Sequence, residues 1–305
     1  MTEYPFFSVV IPTYNRAAFI KPTLQSVLSQ TYPNFEIIVV DNCSTDNTDQ
    51  VLDSFIRAGQ IKFIKHEQNF ERARSRNTGM KAARGDFLTL LDSDDYMYPN
   101  NLADAAKYAR THPDIKCFHN LFEFVNSGGK VLRRYPMPSL RNQRKAIAGG
   151  NFMSCIGDFI HREIYQRYEF DTTPELIGAE DWEFWLRVLA DHQVGRIEKV
   201  NSGVLQHDGR SVNSQNLGSM KTGLEQLYVK LSTDPHLSKV YGPYLKRIRA
   251  NSLIYMAILA NTGGEFGEAR NYLSEAMGAD LGLLAGTRFW RVARRAWLKS
   301  QPKLN

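Results

Sequence analysis

The sequence predicts an α/β protein: a doubly wound, mostly parallel, Rossmann-like sheet followed by a C-terminal helical extension. Three observations lead there. Short apolar runs alternate regularly with helical patterns through the first half of the chain. Carboxylates and other polar residues collect directly after those runs, where an open α/β sheet places its ligand crevice. Strand signals then stop near residue 215 and helical periodicity takes over, dividing the chain into residues 1–214 and 215–305.

The runs Ser8–Pro12, Glu36–Val40, Ile61–Lys65 and Phe87–Leu91 are rich in Val, Ile, Leu and Phe and short enough for buried strands. Helical stretches over 17–29, 46–57 and 71–83 separate them and imply right-handed crossovers. A helix over 99–111 opens at Pro99 and closes before His112-Pro113. Residues 115–135 read as a strand pair joined by Asn126-Ser127-Gly128-Gly129. The stretch 136–158, with two prolines and two glycines, reads as a loop region beside the site. A helix carrying Glu180 and Asp181 follows, then a strand over 194–200 and a final short strand before His207. In 252–280, Leu253, Met256, Ala257, Ala260, Ala269, Leu273 and Ala276 are spaced as in one tetratricopeptide-like helix hairpin.

Bulk composition excludes several classes. With 43% apolar and 23% charged residues the chain is ordinarily globular. The net charge of +6 equals the six cations after Asp280 (Arg288, Arg291, Arg294, Arg295, Lys299 and Lys303), so residues 1–280 are neutral and no nucleic acid partner is expected. Three cysteines without C-x-x-C spacing disfavour a disulfide framework or a thiolate zinc site. No signal peptide is apparent, and no run approaches the roughly 18 apolar residues of a membrane span. The expected location is the cytoplasm. Phe289, Val292, Ala293, Ala296 and Trp297 line one face of a terminal amphipathic helix, with Arg288, Arg291, Arg295 and Lys299 on another. That pattern suits either peripheral contact with the inner face of an anionic membrane or packing on the domain with a solvated basic face. A homo-oligomer is left open.

Chemistry points first to Asp92-Ser93-Asp94-Asp95, three carboxylates ending the strand Phe87–Leu91. Packing alone does not gather like charges, whereas a hard divalent cation with oxygen ligands removes their repulsion. Asp41 ends the strand Ile37–Val40 and should face the same crevice, where it serves either as an acceptor for a nucleobase N–H or as a turn residue. Ser44-Thr45-Asp46-Asn47-Thr48 supply cap side chains, Asp46 among them.

Together SVVIPTYNR (8–16), IIVVDNCSTDNT (37–48), RSRNTG (74–79), GDFLTLLDSDD (85–95) and GAEDWEFWLR (178–187) resemble family 2 glycosyltransferases over roughly residues 6–213. The resemblance implies the GT-A fold, a nucleoside diphosphate sugar donor, a divalent Mn²⁺ or Mg²⁺, inversion at the anomeric carbon, and a glycan or lipid-linked glycan acceptor. It places Pro12, Thr13 and Tyr14 in the nucleotide pocket and makes Asp41 the reader of the base. The usual Asp-Asp-Gly-Ser is here Asp41-Asn42-Cys43-Ser44, which keeps uracil favoured but leaves thymidine and guanosine open. Arg76-Asn77 match an Arg-Asn pair whose guanidinium reaches base or diphosphate, while Arg72 and Arg74 are expected at the surface. Asp92 and Asp94 resemble the Asp-x-Asp motif: Asp94 touches metal, Asp92 contacts ribose or a metal-bound water, and Asp95 orients the donor sugar.

In the Glu180-Asp181 pair the aspartate corresponds to the general base, with Glu180 positioning acceptor or loop. His207 resembles a late histidine that completes the metal or diphosphate site, although a lone histidine is as readily a loop residue; Arg210 and Ser211 would clamp the diphosphate. Asn151, Ser154 and Trp182, with Met153, fall in the acceptor region. A nucleotidyltransferase would need a glycine-rich phosphate loop after the first strand, and a dehydrogenase G-x-G-x-x-G; neither is present. A catalytically silent nucleotide- or glycan-binding scaffold is the alternative from another class.

Overall fold

The computed structural model describes residues 4–210 and 216–298. The strands and helices follow in chain order as β1 (Phe7–Thr13), α1 (Ile20–Leu28), β2 (Phe35–Asp41), α2 (Thr48–Arg57), β3 (Lys62–Lys65), α3 (Arg72–Ala82), β4 (Phe87–Leu91) and β5 (Tyr96–Met97). Then come α4 (Asn101–Thr111), β6 (Cys117–Val125), β7 (Val131–Arg134), α5 (Gln143–Ala148), β8 (Ile156–His161), α6 (Arg162–Tyr165), α7 (Glu180–Asp191) and β9 (Val194–Leu205). The last part contains α8 (Leu217–Thr233), α9 (Pro235–Tyr241), α10 (Leu245–Gly263), α11 (Phe266–Ala279) and α12 (Thr287–Leu298).

These elements form two compact units. The first holds residues 1–143, 152–172 and 191–213; the second holds 144–151, 173–190 and 214–305. The nine strands among the described residues all belong to the first unit, in one sheet ordered β3-β2-β1-β4-β8-β6-β9-β5 with β7 paired to β6. Its first half is the expected parallel, doubly wound sheet: β1 pairs in parallel with both β2 and β4, and β2 with β3. Strand β8 then enters antiparallel between β4 and β6, and β9 runs parallel to β6. Two antiparallel steps restore the direction of β4, so β9 ends on the same sheet edge as β1, β2 and β4.

Register opens the crevice. The β1–β2 ladder runs to Thr13 opposite Asp41, but the β1–β4 ladder stops at Val10 opposite Leu90. Pro12, lacking an N–H to give, sits beyond that last pairing. Phe7, Phe87, Phe118 and Phe159 fill one core face with close ring contacts. Helix α3 rides directly on β1: a methyl group at Gly79 would lie 2.2 Å from Val10 Cγ1, so only glycine admits this approach.

Several boundaries differ from the sequence expectation. The helix expected from Pro99 begins at Asn101, because Pro99 and Asn100 turn the chain out of β5. The stretch 136–158, expected as loop, contains α5 and the start of β8, whose period is masked by prolines and glycines on either side. The separate strands at 194–200 and before His207 are one strand, β9, bent by two register shifts against β6.

In the second unit, α8 is capped by Asn216 through Gly218 and Ser219, and α9 by Asp234 through His236 and Leu237 with Pro235 at its first position. Helix α10 ends at Gly264 in a left-handed conformation, turning into α11 as the expected hairpin. Ala250, Ile254, Ala257, Leu273, Phe289, Val292 and Ala296 share its core. Buried Glu183 on α7 is bracketed by Arg187 at 2.6 and 2.8 Å and by Lys230. That pairing neutralises a charge its burial would otherwise penalise. No helix among the described residues is long and apolar enough to cross a membrane.

Candidate active site

In the first unit the C-terminal edge of the sheet gathers Thr13, Asp41, Asp92–Asp95 and, by way of β9, His207 and Arg210. Asp41 is fully buried and its carboxylate accepts from the Ser44 main chain at 3.2 and 3.3 Å and from the Ser44 hydroxyl, with the Lys65 ammonium 3.9 Å away. Thr13 lies beside it, its hydroxyl buried with no hydrogen-bond partner among the described residues. Tyr14 is 39% exposed at the lip.

Two non-glycine residues hold left-handed backbones here, Asn15 (φ 52°) and Cys43 (φ 64°). Asn15 clips the loop after β1 to the loop after β2: its side-chain oxygen accepts from Thr45 N–H at 2.8 Å, and its own N–H donates to Ser44 Oγ at 2.9 Å. Asp46, expected as a cap, stands one residue before the N-cap Asn47 of α2 and accepts from Thr48 N–H at 2.9 Å and from Ala17 N–H at 3.1 Å. Asn42, standing where the family pattern has aspartate, accepts from Phe70 N–H at 3.0 Å and donates to Asn69 and to Phe70 O. An amide can both donate and accept, which a carboxylate cannot, and so it fastens the loop before α3.

Helix α3 carries Arg76 and Asn77 inward. Asn77 holds the Phe170 main chain through two bonds of 2.8 Å. Phe170 in turn lies under the Arg76 guanidinium, 5.2 Å from ring centroid. Arg76, 2% exposed, points at Asp92 across 3.6 Å. Arg74 is exposed and rests over Phe70 as a surface residue, whereas Arg72 is half-buried.

Asp94 is the focus. His207 Nε2 lies 3.0 Å from its Oδ2, and Arg16 Nε approaches the same oxygen at 3.5 Å. Phe19 stacks on the His207 ring at 4.1 Å, fixing its plane, and Arg16 also donates to Gly209 O at 3.2 Å. Asp95, expected to orient the donor sugar, is 2% exposed. Its carboxylate accepts from Leu205 N–H at 2.9 Å and faces Arg210 at 3.3 Å, so in this geometry it positions Arg210 and the end of β9. Burial pushes the Asp95 carboxyl well above the usual carboxylate range; Arg210 opposes the shift, and Asp92 and Asp94 add to it. Ser211 lies outside the described residues, as do Lys299 and Lys303.

Among the described residues no three His, Cys, Asp or Glu side chains group into a metal cage. Asp94 and His207 still offer one carboxylate oxygen and one imidazole nitrogen side by side, a donor set that suits Mn²⁺ and accepts Mg²⁺ once phosphate oxygens and water complete the shell. The pair therefore fits the implied ion.

In the second unit Glu180 and Asp181 open α7. Glu180 is buried and accepts from Gly178 N–H at 2.6 Å, Gly178 itself being left-handed (φ 89°); Asp181 is half-buried. The four residues expected at the acceptor divide between the units, Asn151 and Trp182 lying in the second and Ser154 and the buried Met153 in the first. Asn151 is half-buried in the second; Ser154, half-buried with an unbonded buried hydroxyl among the described residues, is in the first. Trp182, 7% exposed, spends its indole N–H on Ile147 O at 2.8 Å, which makes it a packing residue of the second unit.

Sequence reasoning passed over Arg16, Phe19, Asn15 and Phe170. Asn15-Arg16 stood in the quoted first motif and could have been weighed; Phe19 and Phe170 carry no signal apart from the fold.

The family model described as "Glycosyl transferase family 2" matches residues 8–169, more than half the chain. An Escherichia coli protein named UDP-Glc:alpha-D-GlcNAc-diphosphoundecaprenol beta-1,3-glucosyltransferase WfgD is 28% identical over 65% of this chain and 74% of its own length. The structure of S. aureus TarS 1-349 in complex with UDP-GlcNAc superposes with a TM-score of 0.66 at 21% identity, over 95% of this chain and 88% of that one. The mannosyltransferase PcManGT from Pyrobaculum calidifontis, in complex with GDP-Man and Mn2+, gives 0.61 at 17% identity over 97% and 88%. These likenesses identify the fold as GT-A. The chain spans under half the length of several other curated relatives it matches.

Proposed function

This chain belongs to glycosyl transferase family 2 and is a glycosyltransferase, and we propose that it is an inverting enzyme moving a sugar from a nucleoside diphosphate sugar to a hydroxyl of a glycan or lipid-linked glycan. The observation that carries the reading is the pairing of Asp94 with His207 at the sheet edge that also holds Asp41, Arg76 and Arg210. A UDP-sugar is favoured, since Asp41 keeps the family's first aspartate and UDP-sugars appear in the names of WfgD and the TarS complex. The GDP-Man complex of PcManGT keeps a guanosine donor as the competing choice.

Asp41, held rigid by Ser44, would accept from the base N–H, with Thr13 and Tyr14 lining the same pocket. Arg76 and Arg210 meet the diphosphate with guanidinium forks. Asp94 and His207 would hold Mn²⁺ or Mg²⁺, which when bound offsets the charge of the departing diphosphate. Asp181 takes the proton of the acceptor hydroxyl as its oxygen forms the new bond to the anomeric carbon; the bond to the diphosphate breaks and the configuration inverts.

The test is a panel of nucleotide sugars scored for release of free nucleotide with Mn²⁺, repeated with Asp181→Asn. The variant should lose at least about 100-fold in transfer, the low end of what a positioned base contributes, while binding donor as the parent does. Full turnover by the variant would remove Asp181 from the role.

A further inference from the structure

The apolar face of α12 is already spent inside the second unit. Phe289, Val292, Ala293 and Ala296 are all buried against α10 and α11, and Asn261 and Arg270 hydrogen-bond the α12 carbonyls of Val292 and Ala296 at 3.1 Å each. Trp297, expected with that face, is instead 50% exposed. At 100° per residue it falls beside Trp290, itself 57% exposed, and Leu298, Arg294 and Arg291 continue the same outer half of the helix. Leu281, 70% exposed, lies in the turn that leads into α12.

This outer surface has an unusual composition for a solvated one. Trp290, Trp297 and Leu298 stand out of α12 on adjoining positions, and Trp290 is held there by its indole N–H bonded to Leu284 O at 2.8 Å. Arg291, Arg294 and Arg295 are exposed, and among the described residues none of the three takes an ion-pair partner. No acid occurs after Asp280 to neutralise them. Arg288, by contrast, is exposed but engaged, donating to Gly149 O at 3.3 Å and approaching the Asn251 side chain at 3.5 Å.

We propose that this outer face of α12 seats the protein on an anionic lipid surface. Trp290, Trp297 and Leu298 would enter the boundary between headgroups and acyl chains, and the three arginines would meet lipid phosphates. Tryptophan suits that boundary because its ring is apolar and its N–H polar. The inference does not depend on which sugar or nucleotide the enzyme uses.

The experiment is co-sedimentation of the full chain with phosphatidylcholine vesicles, with and without phosphatidylglycerol, followed by tryptophan quenching with brominated lipid. The chain has four tryptophans, and Trp182 and Trp185 are buried, so quenching reports Trp290 and Trp297. Binding should require phosphatidylglycerol and weaken with salt. Replacing Arg291, Arg294 and Arg295 together by Gln should weaken it by about 100-fold, and Trp290→Ala with Trp297→Ala should abolish quenching. Both sets lie on the surface, so an unchanged circular dichroism spectrum keeps the comparison valid. Absence of binding, equal binding to neutral vesicles, unquenched tryptophans, or a dimer dissolved by the tryptophan substitutions would each overturn the proposal.

Discussion

Acid should destabilise the first unit through His119, by an amount its surroundings fix. The imidazole is buried on β6 between two groups that define its proton. Nδ1 lies 2.9 Å from Asn120 O, which can only accept, so Nδ1 carries hydrogen; Nε2 receives the Arg196 Nε–H at 3.2 Å and must be bare. A second proton would have to displace a guanidinium in a dry setting. Burial, with Arg196 beside it, accordingly lowers the pKa from 6.5 to about 4. The unfolded chain takes up this proton near pH 6.5 and the folded chain does not until near pH 4, so the neutral ring's contribution is complete above pH 6.5 and is lost as pH falls between those values. Between pH 7 and pH 5 the loss is about 2 kcal/mol. All four tryptophans belong to the second unit, so urea unfolding is best followed by far-UV circular dichroism or by amide exchange in β6. His119→Gln, which cannot titrate, should lose about 2 kcal/mol less than the parent over the same range. Equal losses in the two proteins would refute the argument, because other histidines titrate in both.

Three further outcomes follow from the geometry. Arg16 Nε stands 3.5 Å from Asp94 as a competing cation; Arg16→Gln should tighten Mn²⁺ binding in the absence of nucleotide by roughly 5-fold, the effect of about 1 kcal/mol for a partly exposed pair, and electron paramagnetic resonance titration would detect it. Weaker Mn²⁺ binding would assign Arg16 a supporting role instead. Asp94→Ala should weaken metal-dependent donor binding in calorimetry while binding of nucleotide without metal changes little; equal loss in both would argue for misfolding of the edge. Gly79→Ala should cost about 1–3 kcal/mol by overpacking against Val10, visible as a lowered Tm, and should weaken donor binding because α3 carries Arg76; an unshifted Tm would mean that helix and strand separate freely.

The relation between sequence and site is clearest in paired residues. Asp41 and Asp94 were legible because strand ends are: apolar runs of the right length stop at them, and an open sheet has one place for such ends. Asn42 was legible only as a departure from a family pattern. That its amide ties Phe70 and Asn69 depends on the loop before α3 arriving there, which no local signal states. Asp95 looked like its neighbours in the sequence, yet the turn between β4 and β5 buries its carboxylate against the end of β9 while Asp92 stays accessible.

Strand β8 illustrates the same limit. Its six residues sit between loop-like segments, and their assignment rests on Phe87, Thr89 and Phe118 being in place to receive them. For α12 the sequence determined an amphipathic helix with a basic side, since periodicity is a property of the chain alone. Only tertiary packing decided which residues it hides: the core of α10 and α11 accommodates Phe289, Val292, Ala293 and Ala296, and Trp297, one step around the helix, is left outside. Local order fixes element type and the ends where chemistry gathers. Long-range contacts, whose partners lie tens of residues away, settle which of those side chains are buried, paired or presented to solvent.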